Sequence, residues 1–283
     1  MVKLTKKKWI RLIVFGFLGI LTGLIIWFAV IVIPQMRRKG MRYKTTKLLK
    51  NKRETKMIAH RGLSGIVLEN SVPAFELAGQ RSYYGIETDV HVTKDGKFII
   101  VHDDDLKRIA GLDMVIEETD YETLRALRFK DMYGESDEKN MYLPSLEEYL
   151  AICKKYNKQA ILELKNKMEP REVADIAAAV ENSGWLERTT FISFSGENLV
   201  ALRKEYPTVS AQYLLEEVTE ANIQFMVENH LDADLRWDCI TTKLVKRLHK
   251  EGVKVNCWTV DGRECARMMI RCGVDYITSN ILE

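Results

Sequence analysis

Four short polar strings stand out in this chain of 283 residues: His60-Arg61, Glu87-Thr88-Asp89, His102-Asp103 and Glu163-Leu164-Lys165. Glu87 and Asp89 are two residues apart, so on an extended strand both carboxylates leave the same face. Carboxylates crowded on one inward face repel unless a cation lies between them, and Glu163 would add a third oxygen donor. An all-oxygen set without Cys or His fits a hard divalent cation, Mg²⁺ or Ca²⁺, and not zinc. Facing outward instead, the same pair would serve salt bridges to packed helices. Imidazole titrates near neutrality, so His60 and His102 together offer a general base and a general acid across a phosphodiester. Arg61 presents a two-pronged donor for phosphate oxygens. Lys165 either holds a phosphate or balances the acids. The other histidines, His91, His230 and His249, lie in a turn approach or on helical patterns and read as structural.

These strings fall on or at the ends of β-branched runs. Candidate strands lie at 57–60, at 85–92 with a return strand at 97–102, and at 159–165, 190–194, 210–214, 233–237, 254–260 and 275–278. Amphipathic helical patterns separate them, at 71–83, 145–155, 170–182, 197–205, 216–229, 241–251 and 263–272. Asn70-Ser71 and Pro73 mark the start of the first helix. Ser145 and Glu148 make a capping box for the second, and Gly252 and Gly273 stand where C-terminal caps belong. About eight strands alternating with helices predict a (β/α)₈ TIM-type barrel. A doubly wound sheet shares that alternation, but no Gly-x-Gly-x-x-Gly follows the first strand. The polar stretch 103–144 breaks the rhythm and reads as an insertion over one face, with a weak helix near 121–129. Catalytic groups of a barrel sit at the C-terminal strand ends, which is where His60, Glu163 and Lys165 fall, with His102 ending the return strand.

Charge divides the chain in two. Residues 1–56 hold fifteen Lys or Arg and one acid, Glu54; the remaining 227 residues hold 28 basic and 39 acidic side chains, a net of −11. An acidic domain makes a poor nucleic-acid binder. Residues 12–33 carry no charge, and 22 helical residues reach about 33 Å, enough to cross a hydrocarbon core. The stretch exceeds the apolar region of a signal peptide and lacks a small-residue cleavage site. It is expected to be a single-pass transmembrane helix, with Trp9 near one interface. The expected order is a basic tail at 1–11, the span at 12–33, a basic juxtamembrane linker at 34–56 and a barrel domain at 57–283. Both flanks of the span are basic, so the positive-inside rule leaves the side of the domain open. The linker either attracts anionic headgroups or is simply solvated. Cys153, Cys239, Cys257, Cys265 and Cys272 are odd in number and form no CxxC pair, which fits a reducing compartment.

The strings MIAHRGLSGIVLENSVPAFELA and GIETDVHVTKDGKFIIVHDDDLKRIAG, followed by LPSLEEYL, ILELK and CWTV, resemble the glycerophosphodiester phosphodiesterase family. The similarity runs over essentially all of 57–280. The resemblance implies a TIM-type barrel with His60 and His102 as general acid and base, and Glu87, Asp89 and Glu163 as ligands of a divalent cation. It also implies Arg61 and Lys165 near the phosphate, and Glu69 and Trp258 lining the substrate pocket. Two departures stand out: the loop 62–68 lacks the proline often found before Glu69-Asn70, and the last strand ends Ile-Thr-Ser-Asn where such enzymes often have Asp. The expected reaction is metal-dependent hydrolysis of a glycerophosphodiester to sn-glycerol 3-phosphate and an alcohol. The rivals are a lysophospholipase D or phospholipase C-like hydrolase acting on membrane lipid, and a non-catalytic membrane-tethered binding module.

Overall fold

The computed structural model describes residues 21–23, 25–32, 45–129 and 141–283. The chain divides into two units, Met1–Met41 and Arg42–Glu283. In the first, the described residues are helical and end in a π-helical turn, Phe28–Val32. Leu21, Ile25, Ile26, Phe28 and Val30 are exposed there. The expected span at 12–33 begins outside the described residues. Among the described residues no helix is long and apolar enough to cross a membrane.

The second unit is built on strands β1 (Lys56–Ala59), β2 (Gly85–Val92), β3 (Phe98–Ile100), β4 (Gln159–Leu164), β5 (Thr189–Ser193), β6 (Ser210–Leu215), β7 (Asp232–Arg236), β8 (Val255–Trp258) and β9 (Tyr276–Ser279). All but β3 pair in parallel with their neighbours. β1 is bonded to both β2 and β9, which closes an eight-stranded barrel. β3 runs antiparallel to β2 outside the ring.

Helices α1 (Val72–Gly79), α2 (Lys107–Ala110), α3 (Tyr121–Ala126), α4 (Leu146–Lys155), α5 (Pro170–Asn182), α6 (Gly196–Glu205), α7 (Glu220–Glu228), α8 (Thr242–Lys250) and α9 (Arg263–Cys272) link them. The capping box of α4 forms as the sequence dictates, Ser145 accepting from the Glu148 amide and Glu148 accepting from the Ser145 amide. Gly273 closes α9 in the left-handed region.

Three boundaries differ from the sequence pattern. Helix α1 stops at Gly79, where a Cβ would stand 2.2 Å from the Tyr156 ring, so close packing takes over from helical periodicity. Helix α7 starts at Glu220 because Thr219 and Asn222 cap it there. Strand β3 ends at Ile100, leaving His102 on the loop beyond it.

Side-chain direction inside the barrel follows from its apolar floor. Ile58, Ile161, Ile192 and Leu214 form a buried cluster flanked by Tyr84, Trp258 and Tyr276. Glu163 is two residues beyond Ile161 on β4, so it points to the same interior one layer nearer the C-terminal end. The insertion is fixed to that end. Leu106, Ile116, Leu124, Phe129, Met141 and Leu143 pack on Leu68, Ile99 and Val101 in one core cluster. The chain before β1 is clasped to the other terminus: the Lys47 amide donates to Ile281 O at 3.1 Å and the Leu49 amide to Glu283 O at 2.6 Å.

Asp234 on β7 is buried, and its Oδ1 has no hydrogen-bond partner among the described residues. Burial lifts its carboxyl from 3.8 to about 8. A carboxyl raised in the fold favours folding below its unfolded pKa, and that contribution is lost as pH climbs through the folded value. Asp234→Asn is therefore expected to gain stability over the parent at pH 9 and much less at pH 5. Thermal melts at the two pH values read this directly, and an equal effect at both would contradict it.

Candidate active site

The residues singled out by type converge at the C-terminal end of the barrel. β2 and β4 pair with Asp89 opposite Glu163, and Glu87 lies two residues earlier on the same face. One oxygen of each of Glu87, Asp89 and Glu163 lies within 4.8 Å of the other two. All three side chains are buried. The inward orientation holds, and the salt-bridge alternative on the helix side does not.

Cationic and amide donors surround the cluster. The Arg61 amide donates to Glu87 Oε2 at 2.7 Å, and Arg61 Nε lies 3.7 Å from Asp89 Oδ2. Lys165 Nζ sits 2.9 Å from Glu163 Oε1 and 3.7 Å from Asp89 Oδ1. Asn70 donates to Asp89 Oδ2 at 2.7 Å while accepting from Thr88 Oγ1 at 2.8 Å. Both Arg61 and Asn70 adopt positive φ, 53° and 52°, an uncommon backbone region for residues with a Cβ. Gly62 follows with φ +74°, and a Cβ there would stand 2.7 Å from the Ala74 carbonyl carbon. The turn is thus wound tightly against α1, which brings the Arg61 amide to Glu87.

The electrostatics split the three acids. Burial, then the charge of Asp89, pushes Glu87 well above the ordinary carboxylate range. The same two causes raise Glu163 to about 7, against the pull of Lys165. Burial also opposes charge on Asp89, yet Arg61, His102 and Lys165 hold its pKa well below the usual range. Asp89 Oδ1 and Arg61 Nε are buried without a hydrogen-bond partner among the described residues. Three converging hard oxygen donors, one of them a carboxylate with an unsatisfied oxygen, fit a metal ion.

The histidines flank this cluster. His60 Nε2 lies 4.0 Å from Glu87 Oε2, and its Nδ1 is 2.8 Å from Asn280 Oδ1. Burial, then the charge of Arg61, lowers its pKa to about 3. His102 Nδ1 lies 2.7 Å from Asp103 Oδ1. Burial lowers the pKa of His102 as well, opposed by the charge of Asp89 and the hydrogen bond to Asp103. Trp258 donates from Nε1 to Asp234 O at 3.2 Å, and its ring meets Phe194 edge-on at 5.6 Å. Phe194 is exposed.

Glu69 lines a cavity with His102 and Arg108 and is engaged by two guanidinium groups. It accepts from Arg61 Nη1 at 2.8 Å and is forked by Arg108, 3.0 Å from Nη1 and 2.6 Å from Nη2. Burial opposes its charge, but Arg61 and Arg108 hold its carboxyl at about 2. Arg108 also donates from Nε to Asp103 Oδ2 at 2.6 Å, so one guanidinium ties the first loop to the loop carrying His102. The sequence pattern did not single out Arg108 or Asp261, and it marked Asn70 only as a helix-start residue. Arg108 and Asn70 sit within the quoted strings, while Asn280 showed only as a departure at the last strand. His91, left as structural, is buried with Nδ1 3.3 Å from Glu117 Oε1 in the insertion.

Arg108→Met cuts both forks. Arg108 is nearly half exposed, so the global loss is expected to stay under about 1 kcal/mol. Hydrogen exchange in 103–111 should quicken while β2 and β4 keep their protection. Unchanged exchange in that loop would show that the fork does not hold it.

Known proteins are similar to this chain in sequence and fold. The family described as "Glycerophosphoryl diester phosphodiesterase family" matches residues 60–282. A glycerophosphodiester phosphodiesterase of Caldanaerobacter subterraneus subsp. tengcongensis is 28% identical over 231 residues, covering 80% of this chain and 94% of its own. Among solved structures, an Oleispira antarctica phosphodiesterase in complex with the product sn-glycerol-3-phosphate superposes with a TM-score of 0.75 at 25% identity. It covers 80% of this chain and 92% of its own. A glycerophosphodiester phosphodiesterase from Parabacteroides distasonis gives a TM-score of 0.68 at 29% identity, over 80% and 93% of the two chains. On motif order, barrel topology and the length matched, the chain belongs to the glycerophosphoryl diester phosphodiesterase family.

Proposed function

We propose that the protein hydrolyses glycerophosphodiesters to sn-glycerol 3-phosphate and an alcohol, with His60 and His102 as the acid–base pair. The observation that carries this reading is the buried triad of Glu87, Asp89 and Glu163 within 4.8 Å, with both histidines beside it. The triad would hold a hard divalent cation, Mg²⁺ or Ca²⁺. When bound, that cation supplies positive charge to a non-bridging phosphate oxygen as negative charge builds there.

The protein's own groups do the rest. Arg61 and Lys165, each 3.7 Å from an Asp89 oxygen, would orient the diester by its phosphate oxygens. One histidine removes the proton from the attacking hydroxyl, of water or of the neighbouring glycerol carbon, and the other protonates the departing alkoxide. Trp258 forms one wall of the pocket. Glu69 acts through Arg61, holding its guanidinium in place.

Residues 12–33 are proposed as a single-pass membrane anchor, between basic flanks at 1–11 and 34–56 and ahead of the catalytic domain at 57–283. The exposed Leu21, Ile25, Ile26, Phe28 and Val30 support that reading. A second substrate reading, lysophospholipid in the bilayer, has one observation in its favour. Exposed Phe194 against Trp258 offers apolar surface for an acyl chain.

The test is glycerol 3-phosphate release from glycerophosphocholine by the full chain, with Mg²⁺, with Ca²⁺ and with chelator. Release should need the cation and fall by about 10²–10⁴ in His60→Gln and in His102→Gln. Near-wild-type turnover in either variant would remove the acid–base assignment. Parallel assays on lysophosphatidylcholine vesicles decide the second reading, and absence of turnover there ends it.

A further inference from the structure

The ring of His60 is aimed by residues from the far end of the chain. Asp261 follows β8, is buried, and spends its oxygens in a set pattern. Its Oδ1 accepts from Ser279 Oγ at 3.0 Å and from the Asn280 amide at 2.8 Å. Its Oδ2 accepts from Asn280 Nδ2 at 2.7 Å. A carboxylate can only accept, so it fixes which end of the Asn280 amide faces it. Asn280 Oδ1 must then point the other way, where it lies 2.8 Å from His60 Nδ1 and 2.7 Å from Ser64 Oγ. An amide oxygen can only accept, so His60 Nδ1 must carry hydrogen. The placement is rigid: the His60 amide donates to Ser279 O at 2.9 Å, and the Gly65 amide donates to Asn280 O at 2.9 Å. A Cβ at Gly65 would stand 2.6 Å from that same carbonyl oxygen.

We propose that Asp261 and Asn280 are positioning residues that lock His60 as its Nδ1–H tautomer. Nε2, the nitrogen facing Glu87, is then the one that exchanges a proton with substrate. His102 is held by a carboxylate and His60 by an amide whose orientation a second carboxylate sets. The catalytic consequence rests on the phosphodiesterase reading above, whereas the tautomer itself does not.

The hydrogen-bond logic makes the test sharp. In Asp261→Asn, the Asn280 backbone N–H still requires an oxygen, so the new Nδ2 faces Asn280. Two donors then oppose each other, and the Asn280 amide turns to offer its oxygen. Its Nδ2 would meet His60 Nδ1 and call for the opposite tautomer. Exchanging the pair, Asp261→Asn with Asn280→Asp, restores every donor and acceptor.

Nitrogen-15 NMR of the full chain with labelled histidine reads the tautomer without any assay. Wild type and the exchanged pair should show the proton on Nδ1, and Asp261→Asn should show it on Nε2. In turnover of glycerophosphocholine, Asp261→Asn should lose about 10²-fold in kcat with KM changed by less than about threefold. The exchanged pair should recover to within about threefold of the wild type. A wild-type His60 protonated on Nε2 would overturn the proposal, and so would an Asp261→Asn chain keeping wild-type kcat. An exchanged pair that folds, by thermal melt, but does not recover would overturn it too. An Nδ1–H signal in a chain without phosphodiesterase activity would leave the lock standing and remove the functional reading.

Discussion

Three carboxylates share a few ångströms of buried space, and most of the site exists to make that tolerable. Desolvated like charges repel strongly, so the protein counters them with a backbone N–H on Glu87, an amide on Asp89 and an ammonium on Glu163. Arg61 is held in a strained backbone conformation to add its charge. Even so, Glu87 and Glu163 remain poor acids, and one oxygen of Asp89 has no hydrogen-bond partner among the described residues. The arrangement is costly as a structural ion cluster. In the proposed cation site the remaining imbalance would give a bound cation its affinity.

The barrel makes this crowding reproducible. Parallel pairing of β2 with β4 sets Asp89 level with Glu163, and the two-residue side-chain period adds Glu87 on the same face. Ile58, Ile161, Ile192 and Leu214 pack as a buried apolar cluster toward the other end of the barrel. Above, the insertion is pinned by its own apolar core and by Arg108, which spans Glu69 and Asp103. The chain's end, Asn280 onward, is tied both to the His60 loop and to residues 47–49. The loops that carry the histidines thus rest on packed elements on both sides, as the proposed acid–base chemistry requires.

Much of this was legible in the sequence. Strands and helices followed from alternating and helical apolar periods, and the capping residues around α4 and α9 stood where the structure uses them. The cluster Glu87, Asp89 and Glu163 followed from a two-residue spacing and strand-end position. Less visible were contacts between residues far apart in the chain. Asn280 meets His60 across 220 positions, and no local pattern announces it. Arg108 looked like one more charge in a polar insertion, because its role depends on Glu69 lying opposite. That Glu69 is also held between two guanidinium groups is a matter of packing that spacing does not encode.

The most direct test of this account is calorimetric titration of the purified full chain with Mg²⁺ and with Ca²⁺. The buried triad predicts one divalent cation bound per chain, with affinity reduced at least about tenfold in the isosteric Asp89→Asn variant. A folded wild-type chain that binds neither ion, or one whose affinity is unchanged by Asp89→Asn, would contradict the central claim.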